Sequence, residues 1–269
     1  MAHLQEAVDS ILAQTYSNLD VVLVDGGSTD GSREWIHGID DPRVRAHSMP
    51  HGTTAADNWT AASREARGEY IKLMCQDDSL RPNAIEVQLE DLNQHPEALF
   101  AIGQRDIVDA RSALIYPRRG CAGLPAGLVN GHVALKASYL NGTNIFGEPL
   151  AVLFRREPLN AALSWNDERP FLLDLELYTR VLQEGPIAVR RESVGAFRVS
   201  SSSWSTRLVK EQLEQISHWQ AEVAEFLEPR PTALERARAR VGLHKQMMLR
   251  RAAYRALKLR RAFRSAHDG

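Results

Sequence analysis

Val21-Val22-Leu23-Val24-Asp25-Gly26-Gly27-Ser28-Thr29-Asp30-Gly31-Ser32 is the stretch on which the fold turns. Its first half, entered at Asp20, is a short apolar run rich in β-branched residues, as expected of a strand buried on both faces. Its second half is Asp, Gly, Ser and Thr, which reads as a turn, with Asp30 or Ser32 available to cap a following helix. Strand, turn and helix in that order open an α/β sheet.

Outward from this unit the alternation continues. Residues 3–15 put Leu4, Val8, Ile11 and Leu12 on one helical face. Downstream, a strand is expected at Arg43–His47, a helix at 53–67, a strand at Glu69–Met74 after the break at Gly68, a helix from Pro82 to Gln94, and a strand at Phe100–Asp109. Such alternation predicts a mostly parallel sheet flanked by helices. The stretch from Pro117 to Asn144 holds five glycines and two prolines and reads as loops around a site. Regular signals resume with a strand at Leu150–Phe154, a helix at Leu173–Leu182 stopped by Gly185-Pro186, a strand at Ile187–Arg198, and helices at Leu208–Leu227 and Val241–Ala262. The expected organisation is one domain over 1–205, with a nucleotide-binding part at 1–115 and an acceptor-side part at 116–205. A helical extension follows over 206–269.

The 269 residues are 43% hydrophobic and 25% charged, a composition that implies a packed core and argues against disorder. Cys75 and Cys121 are the only cysteines, which argues against a disulfide scaffold and fits a reducing compartment. No secretory signal is visible and no apolar run reaches bilayer length, so the expected location is the cytoplasm. The Asn-x-Thr triplets at Asn58 and Asn141 then read as chance. The formal charge of −1 hides an asymmetry. Residues 231–269 carry 11 Lys/Arg against Glu235 and Asp268, a net of +9, while the first 230 residues carry −10. Body and tail are expected to meet different partners.

Ligands of an open parallel sheet bind beyond the carboxyl ends of its strands. Asp25 stands at one such end, and Asp77 and Asp78 at another. Paired carboxylates are hard oxygen ligands suited to Mg²⁺ or Mn²⁺, which also bridge substrate phosphates. Gly26 and Gly27 allow backbone to approach a nucleotide closely. Neither G-x-G-x-x-G nor G-x-x-x-x-G-K-[ST] occurs, so neither a dinucleotide fold nor a P-loop is indicated.

Four segments in order carry a resemblance: Ser10 to Ser32; Ala66-Arg-Gly-Glu-Tyr-Ile-Lys-Leu-Met-Cys-Gln-Asp-Asp78; Gly147-Glu-Pro-Leu-Ala-Val-Leu-Phe-Arg-Arg156; and Asp174-Leu-Glu-Leu-Tyr-Thr-Arg180. Together, over roughly residues 3–200, they resemble the family 2 inverting glycosyltransferases of the GT-A fold. The resemblance implies a nucleotide-diphosphate sugar donor, a saccharide or lipid-linked acceptor, and Mg²⁺ or Mn²⁺. It implies that Asp25 contacts the base with Gly27 beside it, that Asp77 lies near the ribose, that Asp78 holds the metal, and that Asp174 takes the proton from the acceptor hydroxyl. Glu148 and Glu176 fall on the acceptor side.

Each role has a structural alternative. Asp25 can stabilise its own turn. Asp77, Asp78, Asp174 and Glu176 precede or open helices, where the dipole favours carboxylates. Arg155 and Arg156 read as surface charge, and Trp59 and Trp165 as core or pocket wall. The Ser200–Ser205 run reads as a polar loop, one that could cover the donor. Two other functions compete with the glycosyltransferase: a nucleotidyltransferase, and a degenerate relative without catalysis. The sequence also departs from the family pattern, since the usual first strand, ending near Pro-x-Tyr-Asn, is not found ahead of the first helix. Its absence is expected to leave strand edges and apolar surface uncovered. Gly26 stands where many relatives carry a second Asp.

The basic tail aligns Val241, Met248, Ala252, Ala256, Leu259 and Phe263 on one helical stripe, flanked by Lys245, Arg251, Arg255, Lys258, Arg260 and Arg264. Such a helix suits the headgroup region of an anionic membrane through residues 241–264, as a peripheral contact on the inner face. The alternative is that the stripe packs on the body. No aromatic platform accompanies the charges, so nucleic acid is not expected as a partner.

Overall fold

The computed structural model describes residues 3–199 and 211–265, the last twelve by their helical backbone alone. In chain order the elements are α1 (Leu4–Leu12), β1 (Val21–Asp25), α2 (Ser32–His37), β2 (Val44–Ser48), α3 (Ala55–Glu65), β3 (Tyr70–Ile71), β4 (Ser79–Leu80), α4 (Ala84–Gln94), β5 (Phe100–Val108), β6 (Leu114–Arg119), β7 (Gly127–Val129), α5 (Gly131–Asn141), β8 (Val152–Arg155), α6 (Arg156–Ala162), α7 (Leu173–Glu184), β9 (Ile187–Arg198), α8 (Gln212–Phe226) and α9 (Ala233–Ser265). The expected elements are present within a few residues at most ends. The expected start of α8 at 208–210 and the Ser200–Ser205 loop lie outside the described residues.

Among the described residues the strands form two sheets. One is the parallel pair β1–β2. The other runs β3-β8-β5-β9-β4, with β6 on β5 and β7 on β9. The α/β class is as expected, but the strand directions need correction. Only β1–β2 and β5–β9 are parallel, and the other five pairs are antiparallel. The reason lies in the short strands. Five residues separate β5 from β6, which allows a hairpin and not a crossover. The two-residue strands β3 and β4 have no periodicity from which direction can be read.

The stretch expected to be loops is also more regular than expected, since it contains β6, β7 and α5. Asn130 caps α5 by accepting from the His132 and Val133 amides, and Gly142 ends the helix in the left-handed conformation. Four residues of α5 are buried apolar side chains or alanine: Ala134, Leu135, Tyr139 and, half-buried, Leu140. They face more than one neighbouring layer, which weakens the amphipathic signal.

Among the described residues the buried apolar side chains form one large cluster and two small ones, and the large cluster is the main core. Phe100, Phe146, Phe154 and Tyr178 stack around its centre. Ile216, Trp219 and Val223 of α8 and Ala239, Leu243 and Met247 of α9 belong to the same cluster. The helical extension therefore shares the body's core. Trp165 is buried and meets Trp59 edge-on at 5.2 Å, both within the packed interior. Arg155 is not a surface charge. It donates to the Ala98 and Leu92 carbonyls at 2.9 and 2.7 Å and lies over the Tyr70 ring.

β1 and β3 do not pair. Between them is a cavity of about 850 Å³, walled by Val22, Val24, Ile71 and Leu73 and closed by Leu4, Val8 and Ile11 of α1. The Val21 amide donates to the Arg43 carbonyl and the Asp25 carbonyl accepts from Met49, so the odd-numbered residues of β1 bond toward β2. Strand alternation then turns the amides of Val22 and Val24 into the cavity. Uncovered edges are thus present on both sides of the place where the family pattern departs.

Candidate active site

The acidic turn Gln76-Asp77-Asp78 is fixed by the strand that follows it. β4 pairs antiparallel with β9, Ser79 against Ala196 and Leu80 against Gly195. Asp78 is only 1% exposed. Its Oδ1 accepts from the Arg198 amide at 3.1 Å, and its Oδ2 is buried without a partner. Burial and the neighbouring Asp77 charge push the Asp78 carboxyl well above the usual range. Asp77 is half-buried and is also raised, chiefly by burial, against the opposing charges of Arg198 and His3.

Asp174 lies in the first turn of α7. Its Oδ1 accepts from the Leu175 amide at 2.7 Å and its Oδ2 from Asn144 Nδ2 at 2.9 Å. Burial, with the Glu148 charge added, pushes this carboxyl up to about 7, against the Leu175 amide, Arg105 and Asn144. Glu148 stands between Gly147 and Pro149 and is held by Arg105 of β5 through Nε and Nη2. Cys75 lies among these groups. Its thiol is pushed up by burial and by the charges of Asp78, Asp77, Asp174 and Glu148. Four of the expected site residues therefore converge on one locus.

Asp25 and Gly27 sit apart from that locus, on the wall of the cavity between β1 and β3; the wall reaches Cys75 and Gln76 but does not include Asp77, Asp78, Glu148 or Asp174. The Asp25 carboxylate accepts from the Gly27 and Ser28 amides and from Arg33 Nε, at 3.0 to 3.2 Å. Burial works to raise it, but these bonds outweigh burial and hold it below the usual range. The turn-stabilising alternative thus describes a real part of its role. The Ser28 hydroxyl adds to these donors, so the carboxylate is held chiefly by its own loop and Arg33. Gly27 has φ +90°, and a Cβ there would lie 2.5 Å from His51 Cα, so the loop's own packing already demands glycine.

Glu176 is not brought to the cluster. Two residues beyond Asp174, it points from another side of α7 and pairs with Arg169, which also holds Glu222. Conversely, Asn144, Arg105 and Arg198 were not singled out from the sequence. Arg105 had a visible signal, since it stands in the polar triplet Gln104-Arg105-Asp106 between apolar residues of β5, and Arg198 is the last residue of β9, after Ala196 and Phe197. Asn144 had only the polar residue of a short turn.

A divalent cation can be tested against these residues. Among the described residues no three His, Cys, Asp or Glu side chains are grouped to hold a metal unaided. An orphaned carboxylate oxygen beside a second carboxylate fits an ion of the Mg²⁺ kind, which takes one or two carboxylates and completes its shell from phosphate and water.

Comparison with known proteins places the chain. The sequence model described as Glycosyl transferase family 2 matches residues 2–161. Glycosyltransferase GlyG of Streptococcus pneumoniae is 37% identical over 103 residues, 38% of this chain and 34% of that protein. The chondroitin synthase of Pasteurella multocida is 40% identical over 91 residues, 33% of this chain and 9% of that protein. The chain thus spans about a third or less of these relatives. The crystal structure of S. aureus TarS 1–349 in complex with UDP-GlcNAc superposes with a TM-score of 0.62 at 14% identity, covering 84% of this chain and 68% of that one. That likeness establishes the GT-A-like nucleotide-diphospho-sugar transferase fold expected from the sequence. With the family model covering more than half of its residues, the chain belongs to glycosyl transferase family 2.

Proposed function

We propose that this chain is an inverting glycosyltransferase that moves a sugar from a nucleotide-diphosphate sugar to an acceptor hydroxyl, in the synthesis of bacterial cell-surface polysaccharide. The observation that supports it most is the convergence of Asp77, Asp78, Glu148 and Asp174 around Cys75, with one carboxyl near neutrality. In this reading Asp25 and Gly27 receive the base, Asp77 the ribose side, and Asp78 the cation. Mg²⁺ or Mn²⁺ bound there supplies positive charge against the diphosphate as it departs. Asp174, held by Asn144, accepts the acceptor's proton. The freed oxygen attacks the anomeric carbon as the bond to the diphosphate breaks, and this single displacement inverts the centre. A base titrating near 7 suits this step, because it is ionised at working pH yet still draws a proton. Glu148, fixed by Arg105, lines the acceptor side, whereas Glu176 with Arg169 supports α7.

The acceptor is a saccharide or a lipid-linked saccharide. In this reading the protein works in the cytoplasm at the inner face of the membrane, through α9. Val241 and Met248 are 69% and 73% exposed, and Lys245, Arg251 and Ala252 are exposed beside them. The row that packs on the body is a different one, Ala239, Leu243 and Met247. Ala256, Leu259 and Phe263 lie beyond the described side chains. No described helix is long and apolar enough to cross a membrane.

The test is sugar release from UDP-GlcNAc, the donor present in the TarS complex, followed with Mn²⁺ and with EDTA. Turnover that needs the metal and Asp174 supports the proposal. The degenerate-relative alternative draws on the uncovered edges of β1 and β3, and it gains if no nucleotide sugar binds at all.

A further inference from the structure

Arg198 is 2% exposed, and among the described residues it is one of the largest fully buried side chains. A buried guanidinium must find partners for its N–H groups, or its desolvation is uncompensated. Arg198 finds them in three directions. Nε donates to the Asp77 carbonyl at 2.8 Å. Nη1 donates to Ser112 Oγ at 2.8 Å and to the Asp109 carbonyl at 3.3 Å. Nη2 donates to Glu6 Oε2 at 2.7 Å. The residue therefore ties α1, the β5–β6 turn and the acidic turn together at the end of β9.

The choice of partners is informative. The guanidinium takes the peptide carbonyl of Asp77 and the carboxylate of Glu6, and leaves the Asp78 carboxylate to its own backbone amide. That amide takes Oδ1 only, and Oδ2 stays buried and unpartnered. An arginine paired directly with Asp78 would compete with a cation for the carboxylate. An arginine bonded to the Asp77 peptide fixes where both carboxylates point without neutralising either through a direct bond.

We propose that Arg198 is a positioning residue of the cation site: by gripping the Asp77 peptide and, through its amide, one oxygen of Asp78, it presents the second oxygen to a divalent cation. This rests on the cation role given to Asp78 above. Residues standing behind metal ligands commonly change metal affinity by about 10- to 100-fold when altered. Lysine keeps the charge but gathers its donors on one compact nitrogen and cannot span the four acceptors that the planar fork reaches, so Arg198→Lys isolates the geometry from the charge.

The experiment is calorimetric titration of Mn²⁺ into the full chain with UDP present, alongside thermal melting and UDP affinity without metal. The wild-type chain is expected to bind Mn²⁺, and Asp78→Asn to lose binding. Arg198→Lys is expected to bind Mn²⁺ about 10- to 100-fold more weakly while remaining folded and keeping its metal-free UDP affinity. Mn²⁺ affinity equal to wild type in folded Arg198→Lys, even with a lower melting temperature, would make the residue structural only and overturn the proposal. If Arg198→Lys does not fold, Ser112→Ala loosens the guanidinium without removing it. Weaker Mn²⁺ binding there supports positioning, and unchanged binding overturns it. If the wild-type chain itself takes no Mn²⁺ with UDP, the cation role of Asp78 falls first, and the role of Arg198 with it.

Discussion

Asn144 Nδ2 donates to Asp174 Oδ2 at 2.9 Å and to the Gly147 carbonyl at 3.0 Å, so one amide joins the carboxylate on α7 to the loop that carries Glu148. Its Oδ1 accepts from the Phe146 and Gly147 amides and locks the side chain in that orientation. A base held in this way has a fixed direction of approach, which is the condition for general-base catalysis.

Asp174→Asn is accordingly expected to lower kcat by about 10²–10⁴ while leaving donor affinity nearly unchanged. In the wild type, kcat is expected to rise with pH through about 7 as Asp174 ionises, then level off. A pH–rate profile of wild type and variant checks both. Loss of donor affinity with unchanged kcat at saturation would place the base elsewhere.

Asp78→Ala is expected to lower turnover by at least about a hundredfold, the scale of losing a preorganised charge partner at a developing anion. Chelation of the wild-type protein with EDTA is expected to do the same, and Mn²⁺ to restore the wild type but not the variant. Full turnover in EDTA would remove the metal from the mechanism.

The same carboxyls give a stability signature. Asp174 titrates near 7 in the folded chain and near the ordinary 3.8 when unfolded, and Asp77 and Asp78 are shifted in the same direction. A folded pKa raised above the unfolded value favours the protonated native state. Stability from this source is full below about pH 4 and is lost as pH rises through about 7. The melting temperature is therefore expected to fall between pH 5 and pH 8, and Asp174→Asn to flatten part of that fall. A wild-type melting temperature that rises over this interval would contradict the environment described for Asp174.

How much of this was legible depends on what each residue has to report. The run Val21–Asp25 is a buried strand followed by a forced turn, and β-branching and glycine announce both. Asp77 and Asp78 were visible because they end such a run. The pairing directions were not visible, because β3 and β4 are two residues long. α5 was missed because its buried residues face several neighbours and its glycines suggested loops. Arg198 and Asn144 act through hydrogen bonds across 120 and 30 residues of sequence, and no local pattern encodes those partners.

The docking of α9 on the body can be tested at Gly242, where a Cβ would lie 2.3 Å from the Leu140 carbonyl oxygen. The neighbour is backbone and cannot swing aside. Gly242→Val is expected to cost about 1–3 kcal/mol, the range for forced overpacking, and to lower the melting temperature of the whole chain in one transition. A melting curve unchanged by the substitution would mean that α9 does not share the core.

That shared core also decides how the membrane proposal must be tested. Deleting α9 would remove Ala239, Leu243 and Met247 from the interior, so loss of vesicle binding in a shortened chain would be ambiguous. Val241 and Met248 offer a cleaner route, because they are exposed and can be changed without opening the core. Insertion of the apolar stripe and attraction of the basic flank act together at an anionic surface. The full chain is expected to float with anionic vesicles at low salt and to be released at high salt, where the charges are screened. Val241→Asp with Met248→Asp is expected to abolish flotation and to leave folding stability within about 0.5 kcal/mol of wild type, as for surface changes. Equal flotation of the two proteins would take the stripe out of membrane contact, and failure of the wild type to float at low salt would end the proposal.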